Sequence, residues 1–593
     1  MSASNASKVF NFNIGILGHV DSGKTTLAKS LSTTASTAAF DKNPQSQERG
    51  ITLDLGFSSF TIDMPSSLPS KNDPRFGDYE KLQFTLVDCP GHASLFRTVI
   101  GGSQIIDMVL LVVDAVKGVQ TQTAECLILG EVTCPFHMVV VLNKIDSFPE
   151  ESRASQVEKI TKRLQKTLAT TATYKEAPII AVSAGERLNL DKLIDTIIDR
   201  MYFPPRREDG KFLLAVDHCF SIRGQGTVMT GTILSGSVKV NDQIEIPSLK
   251  ETKKVKSLQM FRQPVNRAVQ GDRIGLCVTQ FDAKLLERGL ICESGAVIQL
   301  HAAIVETIRI PYFKQMIKNK MKLHISIGHE TVIGTCHLFG CPGQSADECK
   351  CSPPLDLKAM KSIDQPGFSF DQDYVFTESI GQEESSDENG PSQPEVLVKH
   401  RYALLEFDHP ILCATNALYI ASKQDMDIHS NRCRLAFFGR ILVPFTDKNY
   451  RQRELPRLLV FKNKARHGTV ERLHDEYTVI VSGLFKKDTN VETFIGLKVM
   501  VGIEEDEADS VIVQQKGVIE GGFGQSGKIK IRIPEGIKPE IVEILQNRTV
   551  GKKRGAKASG GDAQGSSDGQ RQKVRVTLTF KRYVYDPQKK MIQ

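Results

Sequence analysis

Three stretches of this chain combine residue types at spacings suited to phosphate chemistry. The first is Gly18-His19-Val20-Asp21-Ser22-Gly23-Lys24-Thr25, which fits the pattern G-x-x-x-x-G-K-[ST] without a mismatch. Glycines in such a loop let backbone N–H groups point inward at a polyphosphate, and a following helix N-terminus adds positive potential. Lys24 then reaches the terminal phosphates, and Thr25 offers its hydroxyl to a magnesium ion. Gly18, Asp21, Ser22, Gly23, Lys24, Thr25 and Thr26 are the candidate phosphate-binding set. The second stretch runs from Gln47 to Phe57 and contains Arg49-Gly50-Ile51-Thr52. Thr52 can give magnesium a second hydroxyl, in a segment ordered only when a γ-phosphate is present. The third is Asp88-Cys89-Pro90-Gly91-His92. Asp88 can hold magnesium through water, and Gly91 can give its N–H to the γ-phosphate. His92 then lies beside the place of a hydrolytic water.

A fourth motif, Asn143-Lys144-Ile145-Asp146, reads as a base-recognition site. A carboxylate at Asp146 accepts hydrogen bonds from guanine N1–H and N2–H2. Adenine lacks that pair of donors and would leave a buried acceptor unpaired. The nucleotide is therefore GTP, with GDP as product. Ser183 and Ala184 lie on a further loop that can contact the base.

These motifs need elements to hold them. Apolar runs at 12–17, 84–87, 108–113, 139–142 and 179–182 read as strands, and 26–31 opens a helix. The 157–168 stretch carries helical spacing that serves core packing. Each motif follows a strand, and open α/β sheets bind ligands at the carboxyl ends of their strands. Residues 1–206 are thus expected to form an α/β GTP-binding domain, closed by Pro204-Pro205-Arg206-Arg207.

The texture then changes to short alternating strands with glycine turns, as expected of small β-barrels over 210–299 and 300–445. An acidic, Ser/Pro-rich tract at 364–394 interrupts the latter and reads as a disordered loop. Cys336, Cys341, Cys349 and Cys351 lack zinc-ligand spacing and read as free loop cysteines. A strand-rich unit follows at 456–593. From 451 to 593 there are 27 Lys and Arg against 18 Asp and Glu, although the whole chain is only +7. This basic excess suits a polyanionic partner or a solvated surface. Lysines beside Phe485, and Lys581 and Arg582 between Phe580 and Tyr583, suit RNA. The Lys552-Lys553-Arg554 cluster contacts RNA phosphates, acts as a nuclear-import signal or is a solvated loop. The run Gly522 to Lys528 (GFGQSGK) has glycines and a lysine but not phosphate-loop spacing. The chain has 593 residues, 40% of them hydrophobic, and no apolar run approaching a membrane span. Its N-terminus lacks a secretory h-region, and its twelve scattered cysteines favour reduced thiols.

The combination G-H-V-D-x-G-K-T, R-G-I-T, D-C-P-G-H and N-K-x-D resembles the EF-Tu-like translational GTPases. Ser22, the run G-I-T-L-D-L-G-F and Ile100-Gly101-Gly102 narrow the resemblance to the selenocysteine-specific elongation factors of the SelB type. The resemblance implies an α/β P-loop GTPase domain, two EF-Tu-like β-barrels and a β-rich C-terminal domain. It implies that His92 positions the attacking water, gated by Val20 and Ile51, with Thr25 and Thr52 on magnesium. It implies that Asp217, His218 and Arg273 line a polar, positively biased pocket for a selenocysteinyl group. The residues alone also allow a plain Asp217–Arg273 salt bridge. Selenols ionise more readily than thiols, whose reference pKa is about 8.5, so charge separates selenocysteine from the neutral serine carried by the same tRNA. The implied partners are selenocysteinyl-tRNA, the ribosome and a protein that binds an mRNA recoding signal. The implied setting is a cytoplasmic monomer with a possible nuclear fraction and no membrane. Rival readings are a general or initiator aminoacyl-tRNA carrier, and a weakly hydrolysing GTP-regulated RNA-binding protein. Ser22, the L-D-L-G-F run and the C-terminal unit argue against the carriers, and D-C-P-G-H argues against the weak hydrolase.

Overall fold

A computed structural model describes residues 9–35, 55–90, 100, 105–328, 330–342, 368–381, 398–425, 432–487, 489–505, 508–524, 527–546, 573–588 and 591–593. The described residues divide into two compact units. One draws on Met1–Ser369 and Thr377–Tyr450, the other on Phe370–Phe376 and Arg451–Gln593.

The larger unit begins with a seven-stranded sheet. Near-continuous apolar runs form its centre: Met108–Asp114 (MVLLVVD) and Met138–Asn143 (MVVVLN) are buried along their whole lengths. Such runs suit parallel strands covered on both faces. Val9–Gly18 lies between Lys81–Asp88 and Met108–Asp114, parallel to both. Met138–Asn143 and Ile179–Ala181 continue the parallel order. Gly56–Asp63 pairs antiparallel at the other side. Helices Lys24–Leu31, Thr121–Thr133, Glu150–Ala169 and Leu190–Asp199 connect or flank the strands. The parallel order brings Gly18, Asp88, Asp114 and Asn143 to one edge of the sheet.

Two barrels follow in the same unit. In the first, Leu213–Ile222 pairs with Gly226–Ser235 and Arg273–Val278 joins the latter. Pairing of Gln243–Ile246 with Glu251–Met260 closes the ring. In the second, Val297–Glu306 lies between Val398–Ala414 and Leu435–Phe445. Pairing of Met321–Ile327 with Glu330–Pro342 closes it. Ile310, Ile420, Leu435 and Phe438 of this barrel share an apolar cluster with Leu127, Ile128 and other residues of the nucleotide sheet and its helices. Amid that cluster Arg434 donates two hydrogen bonds to Glu125, at 2.8 and 2.7 Å, with both side chains buried.

The smaller unit is a third barrel. Val460–Leu473 pairs with Thr478–Ser482 on one side and with Lys573–Tyr583 on the other, closing the ring.

Three expectations are corrected. The tract at 364–394 is not uniformly a disordered loop: residues 368–381 carry the strands Tyr374–Phe376 and Ser379–Ile380. Tyr374 is fully buried and its strand runs parallel to Val460 and Phe461. Asp373 accepts from the Tyr583 hydroxyl at 2.9 Å and pairs with Lys581 at 3.2 Å. The average acidic composition hid a local cluster of aromatic and branched residues that can bury surface. Second, Cys336 and Cys341 are not loop cysteines. They lie in the strand Glu330–Pro342 and are buried, and burial pushes the Cys336 thiol well above the ordinary thiol range. Cys349 and Cys351 lie outside the described residues. Third, Phe485 and Phe580 are not surface aromatics; both sit in the core of the third barrel. Lys552, Lys553 and Arg554 lie outside the described residues. No helix among the described residues is long and apolar enough to cross a membrane.

Candidate functional site

The phosphate loop leaves the end of the strand Val9–Gly18 and turns into the helix Lys24–Leu31. Two glycines are required by space and backbone. Gly18 has φ +148°, and a Cβ there would meet the Val112 carbonyl oxygen at 2.3 Å. Gly23 has φ +89°, and its Cβ would meet Asn143 Nδ2 at 2.3 Å. Either Cβ would overlap atoms held by the sheet, in a conformation only glycine adopts readily.

Lys24 folds back over this loop and donates to the His19 carbonyl at 2.6 Å. Burial pulls its ammonium below the ordinary lysine range, opposed by the nearby Asp88 carboxylate. Thr25 Oγ1 donates to Asp88 Oδ2 at 2.6 Å, so the loop hydroxyl and the strand-terminal carboxylate converge. Ser22 is buried, and its Oγ has no hydrogen-bond partner among the described residues. Asp21 and Thr26 are exposed. The Val20 N–H donates to Gln122 Oε1 at 3.4 Å. Ile51, Thr52, Gly91 and His92 lie outside the described residues, so the structure does not place them.

Asn143 joins the phosphate loop to the base loops. Its Nδ2 donates to the Ser22 carbonyl at 3.0 Å, and its Oδ1 accepts from the Ala184 N–H at 3.0 Å. Lys144 adopts a left-handed conformation (φ +66°) and pairs with Asp114 at 3.0 Å. Burial alone would raise the Asp114 carboxyl. The Lys144 ammonium and the N–H groups of Lys117 and Val116 outweigh it and hold the carboxyl below its ordinary range. Asp146 stands exposed in the short helix Ile145–Ser147, where a base edge can reach it. Ser183 is buried, and its Oγ accepts from the Glu186 N–H at 3.1 Å.

The first barrel brings together two of the three pocket candidates. Asp217 lies where the register of Leu213–Ile222 shifts, between Val216 and His218. Such an irregularity can re-aim a side chain. Its carboxylate accepts from Arg273 Nη1 at 2.6 Å and from Thr230 Oγ1 at 3.1 Å. Asp217 and Arg273 are 5% and 4% exposed, so this is a desolvated pair and not a surface ion pair. Arg273 Cζ also lies 3.1 Å from the ring centroid of Phe57, in the strand Gly56–Asp63 of the nucleotide sheet. Arg273 Nη2 is buried without a hydrogen-bond partner among the described residues. Arg273 lines a cavity of 100 Å³ with Phe220, Thr230, Gln259 and Phe261. His218 is half-buried, its Nδ1 close to the Asp217 carbonyl oxygen.

Sequence reasoning did not single out Phe57, Thr230 or Asp114. Thr230 alternates correctly along its strand but is one of several threonines there. Phe57 reaches Arg273 only through the packing of sheet against barrel, which no local pattern encodes.

Comparison with known proteins places these features in a wider set. Residues 11–202 match the family "Elongation factor Tu GTP binding domain", and residues 226–292 match "Elongation factor Tu domain 2". Residues 304–439 match "Selenocysteine-specific elongation factor, eukaryotes, 3rd domain", and residues 456–589 match "eEFSec C-terminal RIFT domain". The chain is 47% identical to the selenocysteine-specific elongation factor of Mus musculus, over 99% of this chain and 100% of that one. It is 40% identical to the factor of the same name from Methanocaldococcus jannaschii, over 55% of this chain and 66% of that one. Its fold resembles the crystal structure of elongation factor SelB from Methanococcus maripaludis with the GTP analogue GppNHp. That likeness has TM-score 0.63 and 24% identity, and covers 97% of this chain and 99% of that one.

Proposed function

The chain belongs to the selenocysteine-specific elongation factors, a family of GTP-hydrolysing translation factors, and on that premise we propose how its residues carry the cycle. In the GTP form it binds selenocysteinyl-tRNA and delivers it to a ribosome at a UGA codon. Gly18, Asp21, Ser22, Gly23, Lys24, Thr25 and Thr26 hold the phosphates, and Gly91 binds the γ-phosphate. Asn143, Lys144, Asp146, Ser183 and Ala184 hold guanine. His92 positions the attacking water, and Val20 and Ile51 gate it, so turnover is slow until the ribosome completes the site. The 2.6 Å approach of Thr25 Oγ1 to Asp88 Oδ2 supplies hard oxygen donors that fit magnesium. Thr25 and Thr52 would hold the ion directly and Asp88 through water, and it would neutralise charge on the phosphates. Lys24, now bonded to the His19 carbonyl, exchanges that partner for a phosphate oxygen.

The observation that carries this reading is the convergence of loop, carboxylate and base motifs at one sheet edge, tied by Asn143, in the unit that holds Asp217 and Arg273. Asp217 already engages Arg273 Nη1, so the pocket is less positive than Arg273 alone would make it. The buried Nη2 remains to donate to a selenolate. A neutral serine hydroxyl gains less from that donor, because hydrogen bonds to charged groups are stronger. The chain divides functionally into domains at 1–206, 210–299, 300–445 and 456–593. The basic last domain faces RNA and a protein bound to the mRNA recoding signal. The factor works as a cytoplasmic monomer.

His92→Ala tests the catalytic assignment. GTP affinity should be retained, while ribosome-stimulated hydrolysis falls about 100-fold or more, the usual scale for losing a proton-handling side chain. Stimulated hydrolysis at the unaltered rate would remove His92 from the mechanism.

A further inference from the structure

In the basic C-terminal unit the half-buried Phe523 has two cations and a histidine arranged around it. Phe485 and Phe580 are taken up by the core, 6% exposed each, and cannot offer a face to a ligand. Phe523 ends the strand Ala508–Phe523, inside the Gly522–Lys528 run that lacks phosphate-loop spacing. It is half-buried, and glycines stand on both sides of it. A Cβ built at Gly522 or at Gly524 meets nothing within 4 Å, so neither glycine is packed against a neighbouring element.

Arg472 Cζ and Lys530 Nζ each lie 5.6 Å from the Phe523 ring centroid. The His474 ring is 5.9 Å away at an interplanar angle of 64°. Backbone register sets this grouping. Arg472 and Lys530 both pair with Ile480, from the strands on its two sides. Neither cation forms an ion pair among the described residues, and the adjacent acid, Glu471, is held by Lys528 at 2.6 Å. The fold gains little by leaving an aromatic half exposed between two glycines with unneutralised cations at its face.

We propose that Phe523, Arg472, His474 and Lys530 form a binding site for an unpaired nucleotide of an RNA, an inference that rests on the RNA-facing reading of this unit. The base stacks on Phe523, and the flanking phosphates meet Arg472 and Lys530, with His474 at the ring edge. Stacking on an aromatic tolerates any base, and the cations track the backbone. Base pairing would hide the base face, so the site selects unpaired nucleotides over a duplex.

The test uses the full chain and fluorescence anisotropy with two labelled probes, an eight-nucleotide single-stranded RNA and a blunt RNA duplex. Phe523→Ala is expected to weaken single-strand binding about tenfold, within the range for losing one stacked base, and to leave duplex binding unchanged. Phe523→Tyr should retain the affinity. Arg472→Gln with Lys530→Gln should weaken both probes and lower the single-strand salt slope by about 1.4, from ~0.7 per phosphate. GTP affinity, measured alongside, should not change in any variant. Unchanged single-strand affinity in Phe523→Ala overturns the site while leaving an RNA-facing unit intact. If the unaltered chain binds neither probe, the site and the RNA reading of the unit both fall. Binding of a polyglutamate peptide as tight as the single strand, and indifferent to Phe523→Ala, would mark the surface as a protein-docking patch and also overturn the proposal.

Discussion

Asn143 shows what a motif conceals about its own residues. The N-K-x-D pattern marks it as part of a base site. Yet its side chain joins Ser22, 121 residues away, to Ala184, 41 residues away. Gly23 is glycine partly because Asn143 lies where its Cβ would be. The phosphate loop was fully legible in the sequence because its requirements are local: glycine dihedrals, one lysine and one hydroxyl. The partners of Asn143 were not, because they depend on strand order. Asp146 gives a prediction at this scale. Its exposed carboxylate offers two acceptors to guanine N1–H and N2–H2, whereas an amide offers one acceptor and presents a donor. Asp146→Asn should weaken GTP binding about 100-fold, the scale of a lost charge-assisted hydrogen bond, and improve binding of XTP, whose base carries an oxygen in place of the amino group. Titration with fluorescent GTP and XTP checks both; unchanged GTP affinity would take Asp146 out of the base site.

At the level of elements, short alternating runs with glycine turns marked the tracts that fold into barrels. The reading failed where composition was averaged over a long tract, as around Tyr374. Contacts between elements were wholly outside its reach. The clearest is Glu125 on the helix Thr121–Thr133, held bidentate by Arg434 at the edge of the second barrel. Its two partners are 309 residues apart, so nothing local marks either one. Removing one member strands a buried charge, which costs about 3–5 kcal/mol. Glu125→Gln should therefore lower the denaturation midpoint of the larger unit markedly. Glu125→Gln with Arg434→Met should recover much of the loss, because no lone charge remains. A single variant within about 1 kcal/mol of the unaltered chain would contradict the buried pairing.

Across the whole molecule, the nucleotide edge and the Asp217–Arg273 pair belong to one compact unit, and the basic excess belongs to the other. The charge asymmetry was readable from residue counts. The coupling between sheet and barrel was not: Phe57 ends the Gln47–Phe57 stretch that the γ-phosphate is expected to order, and its ring lies against Arg273. That contact ties the proposed amino-acid pocket to the nucleotide sheet. The central claim is that this pocket distinguishes an anionic selenocysteinyl ester from a neutral seryl ester on the same tRNA. Its most direct test is the rate of spontaneous ester hydrolysis for both aminoacyl forms, with the factor and GTP present. The selenocysteinyl ester should be strongly protected and the seryl ester little, and Arg273→Ala should bring the two rates together. Equal protection of both esters by the unaltered chain would contradict the account.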